Sequence, residues 1–219
     1  MLPAPMYACP FFESADNGFW PAPRAVIHHF PWEKGGYRPY AWAQAVWQED
    51  ALHIRLFCRE STPRTTFANP NDPVYRDSCL EFFVMRQGDN HFFHLEMNSA
   101  GVLLAGINHG GKIKLIPEAQ HVSFIPRVLP CSDGWAVQLK VPFSLFGLPN
   151  AALWSNKPVF RCNFYKCGDD TPFPHYGCWS AVSNPEPQFH DPASFGWLML
   201  IGPGAKDKNW NGLDSRRSL

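Results

Sequence analysis

The sequence predicts an all-β protein: a two-sheet antiparallel β-sandwich, jelly-roll-like, forming a single domain over residues 1–219. Three observations predict it. Proline (22 residues) and aromatic side chains (15%) are abundant, while charged residues make up only 17%. Prolines at this density break helices and punctuate short strands. Apolar and polar residues alternate with a period of two in segment after segment, as strands with one face toward a core do. These segments recur roughly every 8–12 residues between turn signals, the spacing of a sandwich or barrel. There is no internal repeat and no amphipathic helix of ordinary length.

The elements follow in order. Residues 1–24 are rich in proline and read as an irregular segment lying over the domain. Strands are expected at Ala25–Phe30, Tyr40–Gln48 and Leu52–Glu60, the last with Leu52, Ile54, Leu56 and Cys58 on one face and His53, Arg55, Phe57 and Arg59 on the other. A loop rich in Pro, Thr and Asn follows, from Ser61 to Pro73. The stretch Pro73–Gly101 then reads as a hairpin turning at Gln87-Gly88-Asp89-Asn90. In its first strand Leu80, Phe82 and Val84 share one face and Asp77, Cys79, Glu81, Phe83 and Met85 the other. In its second, Phe93, Leu95 and Met97 oppose His94, Glu96 and Asn98. Glu81, His94, Glu96 and Asn98 are therefore expected on one surface. Further strands are expected within Val102–Asn108, at Ile113–Ile116, Val122–Val128, Trp135–Phe143, Val159–Tyr165 and Trp197–Ile201, with a helical turn at Ser144–Leu148. Trp47, Trp135 and Trp197 alternate well enough to read as core. Lys166–Ala193 reads as a long loop, and residues 202–219 as a frayed polar tail.

Composition excludes several function classes. Lys plus Arg equals Asp plus Glu at 19 each, and no basic stripe marks a nucleic-acid surface. No run of about 18 apolar residues marks a membrane span. The N-terminus lacks the basic and apolar regions of a secretory signal. The expectation is a cytoplasmic protein, or a secreted or periplasmic one whose leader has been removed. Seven cysteines, mostly inside apolar runs, read as free buried thiols.

Three constellations could carry chemistry. The first is a sugar-binding surface. A sugar ring offers apolar C–H faces for an aromatic side chain and hydroxyls for carboxylate, amide or cationic groups. Tyr75, Glu81, His94, Tyr165, Trp179 and Phe189 supply such groups near the hairpin. The second is a glycosidase-type pair, Glu81 and Glu96, on adjacent strands. The third is metal. Cys162, Cys167, His175 and Cys178 lack a C-x-x-C pair, and Cys162 and Cys167 fall on opposite strand faces, which argues against zinc. Asn69–Asp72 and Gly168-Asp169-Asp170 carry oxygens that calcium could use but also read as plain turns. No Ser-His-Asp signature and no phosphate loop appears.

The strings DSCLEFFV, FHLEMNSAG, NFYKCG, HYGCWSAV and FHDPASFGWLML, spread from residue 77 to residue 200, resemble the family 9 carbohydrate-binding modules, and more closely the family-9-like branch of bacteria. The resemblance runs from about Trp20 to Ile201. It implies a β-sandwich that binds sugar chain ends or small saccharides without catalysis, as in modules attached to xylanases, and that holds structural calcium. It implies that Tyr75 and Phe189 stack on the sugar and that Glu81, His94 and Tyr165 fix its hydroxyls. His94 stands where the family has arginine, Tyr165 where it has an amide, and Phe189 where it has tryptophan. Phe189 should then face Tyr75 across a gap of sugar width. The partner expected is a carbohydrate, not nucleic acid or membrane. A glycoside hydrolase using Glu81 and Glu96 and a protein-interaction sandwich are the alternatives.

Overall fold

A computed structural model describes residues 3–13, 18–124, 126–148 and 158–202. The expected frayed tail falls almost wholly outside them. The described strands are β1 (Met6–Pro10), β2 (Ala25–Ile27), β3 (Ala41–Trp47), β4 (Ala51–Cys58), β5 (Cys79–Arg86), β6 (His91–Asn98), β7 (Leu103–His109), β8 (Lys112–Leu115), β9 (Arg127–Leu129), β10 (Trp135–Pro142), β11 (Val159–Cys167), β12 (Tyr176–Cys178) and β13 (Gly196–Ile201). Short 3-10 turns at Val74–Arg76, Glu118–Ser123, Phe143–Phe146 and Pro192–Ser194 complete the described elements.

The strands form two sheets. One has the order β1-β13-β11-β5-β6-β7-β8, with β12 also pairing β11; the other has the order β2-β3-β4-β10-β9. All pairings are antiparallel except β1 with β13. The inner faces meet in one core that includes Leu52, Ile54, Leu56, Leu80, Phe82, Val84, Phe93, Leu95, Met97, Val137 and Leu139. The alternation expected of β4, β5, β6 and β10 is thus the alternation observed. Phe82 stacks on Phe164 with ring centroids 5.2 Å apart. The two-residue connection from β7 to β8 uses Gly110 and Gly111, both at positive φ, as a hairpin of matching twist requires.

Four expectations are corrected. Residues 1–24 are not wholly irregular, because Met6–Pro10 is an edge strand. Its flanking prolines are tolerated because an edge has one row of unpaired groups. Tyr7 points inward, where its hydroxyl accepts from the Ala45 amide at 2.7 Å and donates to the Pro23 carbonyl at 2.8 Å, tying the sheets together. Val122–Val128 is not one strand: a 3-10 turn occupies Glu118–Ser123 and β9 begins at Arg127. Trp197 is half-buried rather than core. Leu198 and Leu200 take the inward positions of β13, so Trp197 faces out beneath the Arg161 guanidinium, 4.7 Å from the ring centroid. Trp179, offered above as a sugar-stacking group, lies in the inter-sheet core against Tyr7 and Phe164.

The outer face of the larger sheet carries the site. It is covered by a second apolar cluster that includes Val74, Cys79, Phe83, Phe92, Tyr165, Cys167, Phe189 and Phe195, with Trp32, Phe67 and Tyr176 against it. Much of this cover comes from the segment between β11 and β13. All seven thiols are free, and Cys162 and Cys167 belong to opposite clusters, as their spacing requires. Among the described residues no helix is long and apolar enough to cross a membrane.

Candidate functional site

The hairpin β5–β6 is the floor. Glu81 pairs directly with Glu96, Phe83 with His94 and Cys79 with Asn98. All these residues are buried beneath the cover. Neighbouring β11 sets Tyr165 beside Glu81, and β7 sets Gly106 beside His94. Gly106 is needed for space: a Cβ there would fall 2.1 Å from Nε2 of His94. A glycine within a strand marks such a close approach.

The rim is built by the loop before β5. Asp77, whose side chain is fully buried, anchors it. Its Oδ2 accepts from the Thr66 amide at 2.8 Å, the Phe67 amide at 3.0 Å and Asn98 Nδ2 at 3.0 Å, and its Oδ1 lies 2.5 Å from the Arg64 guanidinium. Tyr75, two residues earlier, stands in a 3-10 turn and is 39% exposed. The opposite wall folds back from the segment after β12. There Phe189 stacks on Tyr165 with centroids 4.0 Å apart and an interplanar angle of 17°. The Phe189 ring lies 5.7 Å from that of Trp32 and 6.4 Å from that of Tyr176, between centroids.

Between floor, rim and wall lies a cavity of about 380 Å³. Tyr75, Glu81, His94 and Phe189 all line it. Tyr165 does not; it is fully buried behind Phe189, and its hydroxyl donates to the Phe189 carbonyl at 3.2 Å. The expected placement of Tyr165 among the groups facing a ligand is therefore corrected: its ring lies behind Phe189, outside the cavity lining. Alternation put Tyr165 on the right face, but nothing local showed that a later segment would cover it. The lining residues that sequence reading missed include Trp32, Tyr176 and His190, and Asp169, considered only for calcium, lines the cavity too. Trp32 and Tyr176 belong to segments without a periodic pattern, so their convergence has no local signal.

The polar groups here are unusual for their depth. Burial, then the adjoining Cys167 and Glu96, holds the Glu81 carboxyl well above the usual carboxylate range. The Cys167 thiol donates to Glu81 Oε1 at 2.9 Å, and burial keeps it protonated. Glu96 Oε1 lies 2.9 Å from His94 Nδ1. Asp169 is raised to about 6, by burial and then by Asp170 and Glu96. His190 is pushed down to about 4 by burial and by His94. In the turns considered for calcium, Asp72 Oδ2 accepts from the Ala68 and Asn69 amides, and Asp170 pairs with Arg76 at 2.7 Å.

This arrangement offers aromatic faces beside convergent acceptors and donors in a concave site, which suits a ring with both apolar and hydroxylated faces. The fold is shared with solved structures of low sequence identity. A protein from Bacteroides uniformis, to which carbohydrate binding has been ascribed, is 22% identical with a TM-score of 0.71, covering 82% of this chain and 86% of its own. A family 9 carbohydrate-binding module from Caldicellulosiruptor kristjanssonii in complex with glucose is 12% identical with a TM-score of 0.64, covering 94% and 100%. The complex of a family 9 module from the same organism with cellotriose gives 12% and 0.62, covering 98% and 100%. No curated protein matches the chain. The model of carbohydrate-binding family 9 matches residues 21–200, and the chain belongs to that family.

Proposed function

We propose that this chain binds carbohydrate non-catalytically in the cavity between Tyr75 and Phe189, taking a glycan chain end or a small saccharide. One observation carries the reading: Tyr75, Phe189, Glu81 and His94 come from four separate segments and line the same cavity. Tyr75 and Phe189 supply the apolar faces, and Glu81 and His94 the hydroxyl partners. Glucose and cellotriose, the ligands in the related modules, are the first sugars to try. Glu81 and Glu96 are direct cross-strand neighbours, but each has an oxygen engaged by the protein, through Cys167 and His94. A hydrolytic pair needs those groups turned to the glycosidic bond.

Calorimetric titration with glucose, cellotriose and a panel of other saccharides tests the reading. Saturable binding is expected, weakened roughly two- to tenfold in Tyr75→Ala, the equivalent of one aromatic contact. Chromogenic glycosides should stay intact. An absence of binding to every sugar, or identical affinities in the native protein and Tyr75→Ala, would overturn it.

A further inference from the structure

Buried polar atoms without partners concentrate at one place in the cavity. Oε2 of Glu96 and Nε2 of His190 have no hydrogen-bond partner, although Glu96 is only 4% exposed. Leaving a buried acceptor unpaired costs roughly 1–3 kcal/mol. The two belong to a cluster with His94, itself 2% exposed. One ligand atom from each of His94, Glu96 and His190 lies within 4.8 Å of the others. The two imidazole rings are 5.0 Å apart and nearly perpendicular, at 74°.

We propose that His94, Glu96 and His190 form a binding site for a divalent transition metal ion of the zinc class, open to the cavity. The donor set selects the metal. Two imidazoles and one carboxylate suit zinc, cobalt, nickel or copper, whereas calcium and magnesium take oxygen ligands. His94 Nε2 has no hydrogen-bond partner but is packed against Gly106, so Nδ1 is the nitrogen turned toward the cluster; it shares a hydrogen bond with Glu96 Oε1 at 2.9 Å, which a bound metal ion would replace. His190 is held the other way round. Its Nδ1 lies 3.2 Å from Gln188 Oε1, and its backbone amide donates to the same oxygen at 2.8 Å. With Nδ1–H donating to Gln188, Nε2 is left as a bare lone pair, which is how an outer partner prepares a ligating histidine. Zinc holds nitrogen and oxygen at about 2.0–2.2 Å, so the ligands must draw together on binding. His190 is the member that does so, because it sits in the covering segment rather than in the floor. Three protein ligands leave a fourth position, as in open zinc sites.

The site shares the cavity and His94 with the proposed sugar site, but its test does not depend on sugar binding, since the probe is the metal alone. Chelator-stripped protein is titrated with zinc against a chromophoric chelator, and with cobalt(II) followed by its visible absorption. One equivalent is expected, with the intense cobalt bands of a low-coordinate site. His190→Gln and Glu96→Gln should each weaken zinc at least about tenfold, the lower end of what the loss of even an outer-shell partner costs. Melting without metal verifies that each variant folds. The His28→Ala, His29→Ala double variant, at a histidine pair outside the cavity lining, and Cys167→Ser, at the neighbouring buried cluster, should keep the affinity. No saturable binding by the native protein would overturn the proposal. So would binding that survives both His190→Gln and Glu96→Gln, or binding lost in the His28/His29 or Cys167 variants. Failure to bind any sugar would leave it standing.

Discussion

Asp77 anchors the rim of the cavity, and its replacement should be costly in a way that reports its charge. Asparagine keeps the shape and one oxygen, so acceptance from Thr66, Phe67 and Asn98 survives, but the interaction with Arg64 at 2.5 Å is lost. Breaking a fully buried pair costs about 3–5 kcal/mol and an exposed one about 0.2–1. Arg64 is 30% exposed, and solvent screening discounts the pair to about 1–2 kcal/mol. Three hydrogen bonds also fall from charged to neutral strength, adding about 1–3 kcal/mol in all. Asp77→Asn should therefore cost about 2–5 kcal/mol near neutral pH. Asp77→Ala, which leaves three donors unpaired as well, should cost more than Asp77→Asn, at least about 4 kcal/mol. The pH dependence has a definite sign. Burial pushes the Asp77 carboxyl up, but the Phe67 and Thr66 amides, Asn98 and Arg64 outweigh it and hold it below the usual value. A depressed folded value means the contribution is fully present above the unfolded value of about 3.9 and is lost as pH falls through the folded one. Urea unfolding of native protein and Asp77→Asn, followed by tryptophan fluorescence at several pH values, should show a constant gap between about pH 5 and 8 that closes in acid. A gap under about 0.5 kcal/mol at neutral pH, or one that persists unchanged in acid, would refute the reasoning.

Four further outcomes are expected. Phe189→Ala should abolish most sugar affinity and lower stability by about 2–4 kcal/mol, less than a fully enclosed phenylalanine because one face meets the cavity; Tyr165→Phe, which removes the hydroxyl with its bond to the Phe189 carbonyl but keeps the ring, should bind sugar nearly as well as the native protein, as calorimetry would show. Gly106→Ala puts a methyl group into His94, so it should cost about 1–3 kcal/mol in thermal unfolding and weaken sugar binding by displacing the imidazole. Tyr7→Phe strands the Ala45 amide between the sheets, which should cost about 1–3 kcal/mol in chemical denaturation without changing sugar affinity.

The hairpin was legible because alternation is a local property. Leu80, Phe82 and Val84 against Cys79, Glu81 and Phe83 states which residues share a face, and β5 and β6 obey it. The strand at Met6–Pro10 was missed because its prolines read as irregular chain, and only its place at a sheet edge makes them acceptable. Trp197 was misassigned because the alternating run containing it gives no sign of which face turns inward until the neighbouring strand is known.

By itself the sequence determined the β-sandwich class, the pairing of β5 with β6, and the presence of Glu81, His94, Glu96 and Asn98 on one face. Tertiary structure decided what that face became. Alternation says nothing about what lies above a sheet, so the burial of Glu81, the retreat of Tyr165 behind Phe189, and the arrival of Trp32, Tyr176 and His190 all depend on irregular segments folding back over it. Those segments carry no period, and their course is set by contacts between residues far apart in the chain, such as the Trp32 indole donating to the Asn184 carbonyl at 2.7 Å.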